Sequence, residues 1–409
     1  MKPKQLILLF FIIVLALSSC RYILPANPNT GAEVAVSTAT STNTPVPPSA
    51  TPTATATPTA IPPTPTSIPI GPNPEDIPEG YNPLTGLPAN DPTALNLPAV
   101  LISITNFPPS ARPQAGLSFS PWVFEIYIAE GMTRFLATFY GSFPQASISA
   151  SPDAGSAPMV GPVRSGRLPY IYIRDFFQGS CLVYAGATVE IRSKLRGCAM
   201  VYGTDANNIN SAMLDVTRMK KIAEENKRPE LQFNYTGNMF TTSPQSQGAP
   251  ANQIDVYYSY LNQAQWHYDE GAGAYLKFDD FADGSGNFTP ATDRLTGEQL
   301  AFSNVIVLYT EHTVISPYII DVKMGLGQTG KAIIFRDGQK FDATWSTVAG
   351  DYEKSTGLRR PIRFETSNGE LFALKPGNSW VHIVTPFTEV QDLGSGQWNL
   401  RFYAPAGAK

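Results

Sequence analysis

Six charged residues between Arg112 and Arg167 invite chemistry: Arg112, Glu125, Glu130, Arg134, Arg164 and Arg167, with Ser165 beside the fifth. A guanidinium fork suits phosphate, sulfate or carboxylate. Two carboxylates flanking a glycosidic bond could cleave it. Along Trp122 to Glu130 side chains alternate faces, which puts Glu125 with Tyr127 and leaves Glu130 at the end of the face of Ile126 and Ile128. A carboxylate there must be paired or solvated, because burying it alone is prohibitive. Arg134 follows just across a turn, Glu130-Gly131-Met132-Thr133. The run Gly161-Pro162-Val163-Arg164-Ser165-Gly166-Arg167 precedes Pro169 and the apolar stretch Tyr170 to Phe177. A helix starting there would add free N–H groups to Arg164 and Arg167. The expected site is an anion or ligand pocket drawn from Arg112, Glu125, Glu130, Arg134, Arg164, Ser165 and Arg167. The opposing expectation is that the arginines pair with the two glutamates and the motif is structural.

Other catalytic templates are missing. His267, His312 and His382 all fall late in the chain and share no HxxxH spacing, so no zinc site is expected. There is no Gly-x-Ser-x-Gly elbow, no phosphate loop of the Walker type and no dinucleotide fingerprint. Cys181 has no nearby histidine to activate it. Asp279, Asp280 and Asp283 with Gly284 and Gly286 resemble a calcium loop only loosely, since the EF-hand spacing is absent. No cofactor and no metal are expected. Trp345 and Trp380 could stack on sugars, but a tryptophan within a strand more often buries its ring. A net charge of −4 with scattered Lys and Arg gives no footprint for nucleic acid and no polybasic membrane patch.

The elements that must carry these residues begin with a leader. Lys2 and Lys4 precede an apolar run, Leu6 to Leu17, which is the length of a signal h-region and short for a membrane span. Leu17-Ser18-Ser19-Cys20 resembles the lipobox at which bacterial lipoproteins are acylated on the cysteine and cleaved before it. Residues 1–20 therefore read as a lipoprotein signal peptide, with Cys20 as the lipidation site. Residues 21–78 are rich in Pro, Thr, Ser and Ala and read as a disordered stalk. It explains part of a charged fraction of only 15%, where a soluble domain carries roughly a quarter. Cys181 and Cys198 lie beyond it. In an oxidising compartment they either bond or pack as two small hydrophobes, and both readings stay open.

In residues 79–250, Val100 to Thr105, Trp122 to Ile128 and Phe135 to Tyr140 read as strands, the last two as a hairpin. Thr188 to Leu195 and Met213 to Asn226 read as helices, the first with Thr188 as N-cap. In residues 251–409, short strands recur with Asp337-Gly338 and Asn368-Gly369 as hairpin turns, which suggests an antiparallel sheet or small barrel. The expected class is α+β: a larger mixed N-terminal domain followed by a smaller, mostly antiparallel β domain.

Several motifs carry a resemblance. Asn82-Pro83-Leu84-Thr85-Gly86, Ala111-Arg112-Pro113-Gln114-Ala115-Gly116-Leu117, Phe124-Glu125-Ile126-Tyr127, Glu130-Gly131-Met132-Thr133-Arg134-Phe135 and Gly161 to Arg167 appear in this order. They resemble the YerB-like bacterial lipoproteins, a domain of unknown function, over roughly Tyr81 to Pro386. The chain departs from that pattern in the loop-like stretch Gln145 to Pro158. The resemblance implies a two-part globular region and supplies no activity. Together these readings lead to a lipoprotein anchored outside the cytoplasm in the cell envelope, binding or scaffolding rather than catalysing. Its expected partners are the membrane through its lipid and a cell-wall polymer or envelope protein. The competing expectation is an envelope glycan hydrolase using Glu125 or Glu130.

Overall fold

The computed structural model of the chain describes residues 69–144 and 158–409. Cys20, the stalk up to residue 68 and residues 145–157 lie outside the described residues. All described residues fall within one unit of the chain, residues 64–409. Among them no helix is long and apolar enough to cross a membrane.

Branched and aromatic residues suit pleated backbone, and they dominate the central strands of the larger sheet. The first part of the chain contains β1 (Val100–Thr105), β2 (Trp122–Ala129), β3 (Met132–Phe139), α1 (Tyr170–Phe176), β4 (Cys181–Tyr184), α2 (Val189–Leu195) and α3 (Val216–Asn226). There follow β5 (Gln253–Ser259), β6 (Asn262–Asp269), β7 (Ala274–Asp280), β8 (Asn304–Tyr309), β9 (Thr329–Arg336), β10 (Gln339–Ser346), β11 (Ser379–Val384), β12 (Glu389–Gly394) and β13 (Gln397–Arg401). Thr188 occupies the cap position of α2 without a side-chain hydrogen bond. Asp215 caps α3 through Thr217 N–H.

A sheet of eleven strands runs in the order Ala249–Pro250, β10, β9, β8, β11, β2, β3, β1, β4, Ala199–Met200, with Arg363–Glu365 paired to β10. A second sheet runs Phe288–Pro290, β7, β6, β5, β13, β12. β11 is inserted between β8 and β2 and is parallel to both. Strands from both sides of residue 250 therefore share the large sheet. Strand pairing within residues 251–409 is mostly antiparallel, as expected, but the single sheet or small barrel is corrected: those strands divide between two sheets, and β8 with β11 and β5 with β13 are parallel. The chain is mixed in class and rich in strand. The folded part also begins earlier than residue 79, since Ile70 pairs with Phe240.

The central strands of the large sheet are buried on both faces, and β2 is buried along its whole length. Val123 and Tyr127 join a core with Trp266, Trp380 and Trp398 from both sheets. Trp122, Phe124 and Ile126 join a second core with Tyr170, Ile173 and Phe176 of α1 and Ile191 and Leu195 of α2. Trp345 and Trp380 are core residues, 1% and 0% exposed. Cys181 on β4 is bonded to Cys198, with the Cα atoms 5.4 Å apart.

Candidate functional site

The glutamates do not meet the arginines. Glu125 shares the face of Tyr127, as the alternation predicts, and that face looks into the core between the sheets. Its Oε1 accepts from Thr133 Oγ1 at 2.7 Å and its Oε2 from Trp380 Nε1 at 3.0 Å. His382 Nδ1 lies 3.2 Å from Oε2. On the other side of that ring, Trp266 Nε1 donates to Nε2 at 3.2 Å. An indole N–H can only donate, so Nε2 keeps its lone pair and the imidazole proton sits on Nδ1. There it faces Glu125 and the Tyr258 hydroxyl, 3.2 Å away. Burial pushes the Glu125 carboxyl up, but His382, Lys277 and Thr133 more than offset this and hold it below the ordinary carboxylate value. Lys277 caps the Trp380 ring at 5.2 Å and forms a buried ion pair with Asp279.

Both nitrogens of His382 are thus occupied, and Glu125 is 2% exposed. A histidine–carboxylate pair resembles the orienting half of a catalytic triad, but here the nitrogen that would serve as base is closed by an indole. Glu130 stands apart in the β2–β3 turn, exposed, with φ +53°. Its backbone has left the strand alternation, which corrects its placement on the face of Ile126 and Ile128. Its N–H donates to the Lys409 carbonyl. Arg112 is also elsewhere: its Nη1 donates to Asp280 O at 2.6 Å and Oδ1 at 3.0 Å, and its Nη2 to Asn106 at 3.3 Å.

Arg134, Arg164, Ser165 and Arg167 do come together. Arg134 is registered opposite Ile126 and Thr105, on the sheet face that carries α1. The segment bearing the other two is pinned across the carboxyl ends of the parallel pair β1 and β4. Val163 bridges Ile104. Arg164 N–H donates to Ser103 O at 2.8 Å, Ala185 N–H to Arg164 O at 2.9 Å, and Gly166 N–H to Gly186 O at 2.9 Å. That end of a parallel pair is where open α/β sheets hold ligands.

Ser165 O gathers the cluster, accepting from Arg134 Nη1 at 3.3 Å, Arg167 Nη1 at 3.4 Å and Ser103 Oγ at 3.3 Å. Arg167 Nη1 also donates to Gly166 O at 3.0 Å. Arg134 is 6% exposed, and the other two are half-buried. Among the described residues none of the three forms an ion pair, and the Nε of each is buried without a partner. Burial, and then repulsion from Arg167 and Arg164, pushes the Arg134 guanidinium down to about 9, with Tyr170 acting the other way. Burial lowers Arg164 and Arg167 as well, and Arg167 adds to the effect on Arg164.

The expected helix N-terminus does not contribute. α1 starts at Tyr170, but its first amides are taken: Tyr170 N–H by Arg167 O at 3.2 Å and Ile171 N–H by Leu168 O at 3.0 Å. The cluster draws on side chains and not on helix amides. His382, Trp380 and Lys277, which decide the fate of Glu125, gave no local signal in the sequence, because they reach it through pairing of distant strands.

Two family models match the chain. Residues 84–247 match the family described as "Protein of unknown function (DUF3048) N-terminal domain", and residues 254–381 match its C-terminal domain. A relative named "Putative lipoprotein YerB", from Bacillus subtilis (strain 168), is 27% identical over 335 residues, which is 77% of this chain and 89% of the relative. The crystal structure of YerB protein from Bacillus subtilis superposes with a TM-score of 0.55 at 24% identity, covering 74% of this chain and 96% of that one, and so shares its fold. All seven candidate residues lie within the first matched segment. The two segments together span most of the folded chain, and the protein belongs to the YerB-like DUF3048 family.

Proposed function

We propose that this protein is a lipid-anchored, extracytoplasmic binding protein whose folded body captures an anionic ligand at Arg134, Arg164 and Arg167. One observation carries the reading: three neighbouring guanidinium groups share one niche without an acid among the described residues to neutralise them. Uncompensated buried charge costs several kcal/mol. A fold keeps such a cluster when an anion repays that cost.

The anchor rests on Cys20 at the end of the leader and on the lipoprotein name of the relative. The stalk supplies reach, up to about 3.1 Å per residue in extended form, so the body could meet a wall polymer or another envelope protein. The glycan-hydrolase alternative through Glu125 or Glu130 is disfavoured because Glu125 is enclosed and hydrogen-bonded on both oxygens, while Glu130 stands apart in the exposed β2–β3 turn.

Thermal melting of the full chain in neutral detergent tests the site. Multivalent anions should raise the melting temperature of the wild type and leave Arg164→Ala unmoved while it folds normally. An Arg164→Ala variant that fails to fold marks the arginine as structural. A wild type indifferent to every anion sinks the reading. For the anchor, Cys20→Ala should move the protein from the membrane to the soluble fraction.

A further inference from the structure

The count of charges and donors in the cluster narrows the ligand. A carboxylate brings one negative charge and two oxygens, enough for a single fork. It would leave two guanidinium groups facing each other unneutralised. A phosphodiester also brings one charge. A phosphomonoester brings between about 1.5 and 2 negative charges and three acceptor oxygens near neutral pH. Three oxygens match three arginines, each of which keeps a terminal nitrogen that bonds to no described residue and is not sealed from solvent. The Ser165 hydroxyl likewise has no partner among the described residues and adds a neutral donor beside Arg164. Ser165 O draws the Arg134 and Arg167 forks toward one point, at 3.3 and 3.4 Å.

We infer that Arg134, Arg164 and Arg167, with Ser165, form a site for a terminal phosphoryl dianion, the end group of a phosphomonoester. This rests on the anion-binding reading above and adds the ligand class. Such a group is found on soluble phosphorylated metabolites and on lipid headgroups, and the cluster recognises what the two share.

The test is calorimetry on the full chain in neutral detergent with four probes: glycerol phosphate, dimethyl phosphate, acetate and sulfate. Glycerol phosphate should bind at least tenfold more tightly than dimethyl phosphate or acetate at pH 7.5. Its affinity should fall about threefold or more at pH 5.5, because a phosphomonoester takes up a proton near pH 6. Sulfate, dianionic at both values, should show no such step. Arg134→Met and Arg167→Met should each weaken glycerol phosphate at least tenfold. Acetate or dimethyl phosphate binding as tightly as glycerol phosphate overturns the ligand class while leaving an anion site standing. An equal pH step for sulfate overturns it too, since the titrating group would then belong to the protein. No binding by any probe overturns the anion site itself. Short-chain phosphatidic acid below its micellar concentration locates the source. Binding more than tenfold tighter than glycerol phosphate assigns a lipid headgroup, and equal binding assigns a soluble ligand; both outcomes support the class.

Discussion

Glu125 and Arg134 stand on neighbouring strands of one hairpin and point to opposite faces of the same sheet. Glu125 is registered to Phe135, and Arg134 to Ile126. Side chains one position out of step face opposite ways. The acid and the base that sequence proximity would pair are thus held apart by the thickness of the sheet. Glu125 turns to the core between the sheets and finds His382. Arg134 turns to the side of α1 and keeps its charge uncompensated beside Arg164 and Arg167.

Replacing Glu125 by Gln tests the first half of that division. The amide that replaces one carboxylate oxygen would set N–H against the Trp380 indole or the Thr133 hydroxyl, and a buried donor would lose its acceptor. The expected cost is about 2–4 kcal/mol, read from urea unfolding. The sign with pH follows from the lowered carboxyl. Its stabilisation is complete above the ordinary value of 4.5 and drains away as pH falls through the lower folded value. Wild type should therefore lose stability below that point more steeply than Glu125→Gln. Anion binding should be unchanged, because the cluster lies on the other face.

Arg134→Met should stabilise the ligand-free protein, by about 1–3 kcal/mol, and abolish the rise in melting temperature with added anion. Burial and the neighbouring guanidinium groups push the folded Arg134 guanidinium down from its ordinary value to about 9. Keeping it protonated therefore costs stability at neutral pH, and the cost is relieved as pH climbs above about 9. The advantage of the variant should shrink over that range. Destabilisation at neutral pH would mark Arg134 as a structural residue instead.

The parts of this design written in adjacent residues could be read from them. Asp337-Gly338 forces a two-residue hairpin, and both residues take positive φ, +53° and +66°. The β2–β3 hairpin and the clustering of Arg164, Ser165 and Arg167 are equally local. The partnership of Glu125 with Trp380 spans 255 residues of sequence. It arises because β11 enters the sheet parallel to β2, and parallel neighbours need no turn between them to announce the pairing. β12 escaped notice for a different reason: nearly every residue in it is exposed, so no apolar alternation marks it. The missing helix N-terminus shows the limit of motif reasoning. Pro169 does open a helix, but backbone carbonyls claim its first amides.

The Cys181–Cys198 bond closes a separation of 17 residues that contains all of α2. Loop-closure entropy for that length is worth about 3 kcal/mol. Unfolding free energies from urea titration with and without reductant should differ by that amount, and Cys181→Ala combined with Cys198→Ser should remove the difference. Reduction should also weaken the anion site, because α2 backs the arginine segment through Leu195 and Gly166.

That contact supplies a test of position separate from charge. A Cβ on Gly166 would collide with Leu195 Cδ1 and touch the Tyr184 ring at 3.4 Å. Leu195 and Tyr184 are 0% and 3% exposed, so neither side chain has room to withdraw. The backbone of residues 164–167 must move instead, carrying Arg164 and Arg167 away from Arg134 and straining the 2.9 Å bond from Gly166 N–H to Gly186 O. Overpacking of this kind costs about 1–3 kcal/mol. Gly166→Ala should therefore remain folded at low temperature and retain all three guanidinium groups. Its affinity for glycerol phosphate should nevertheless fall at least tenfold in calorimetry. Wild-type affinity in a folded Gly166→Ala protein would mean that the cluster attracts anions by its summed charge alone, without the fixed geometry that selects one ligand class over another.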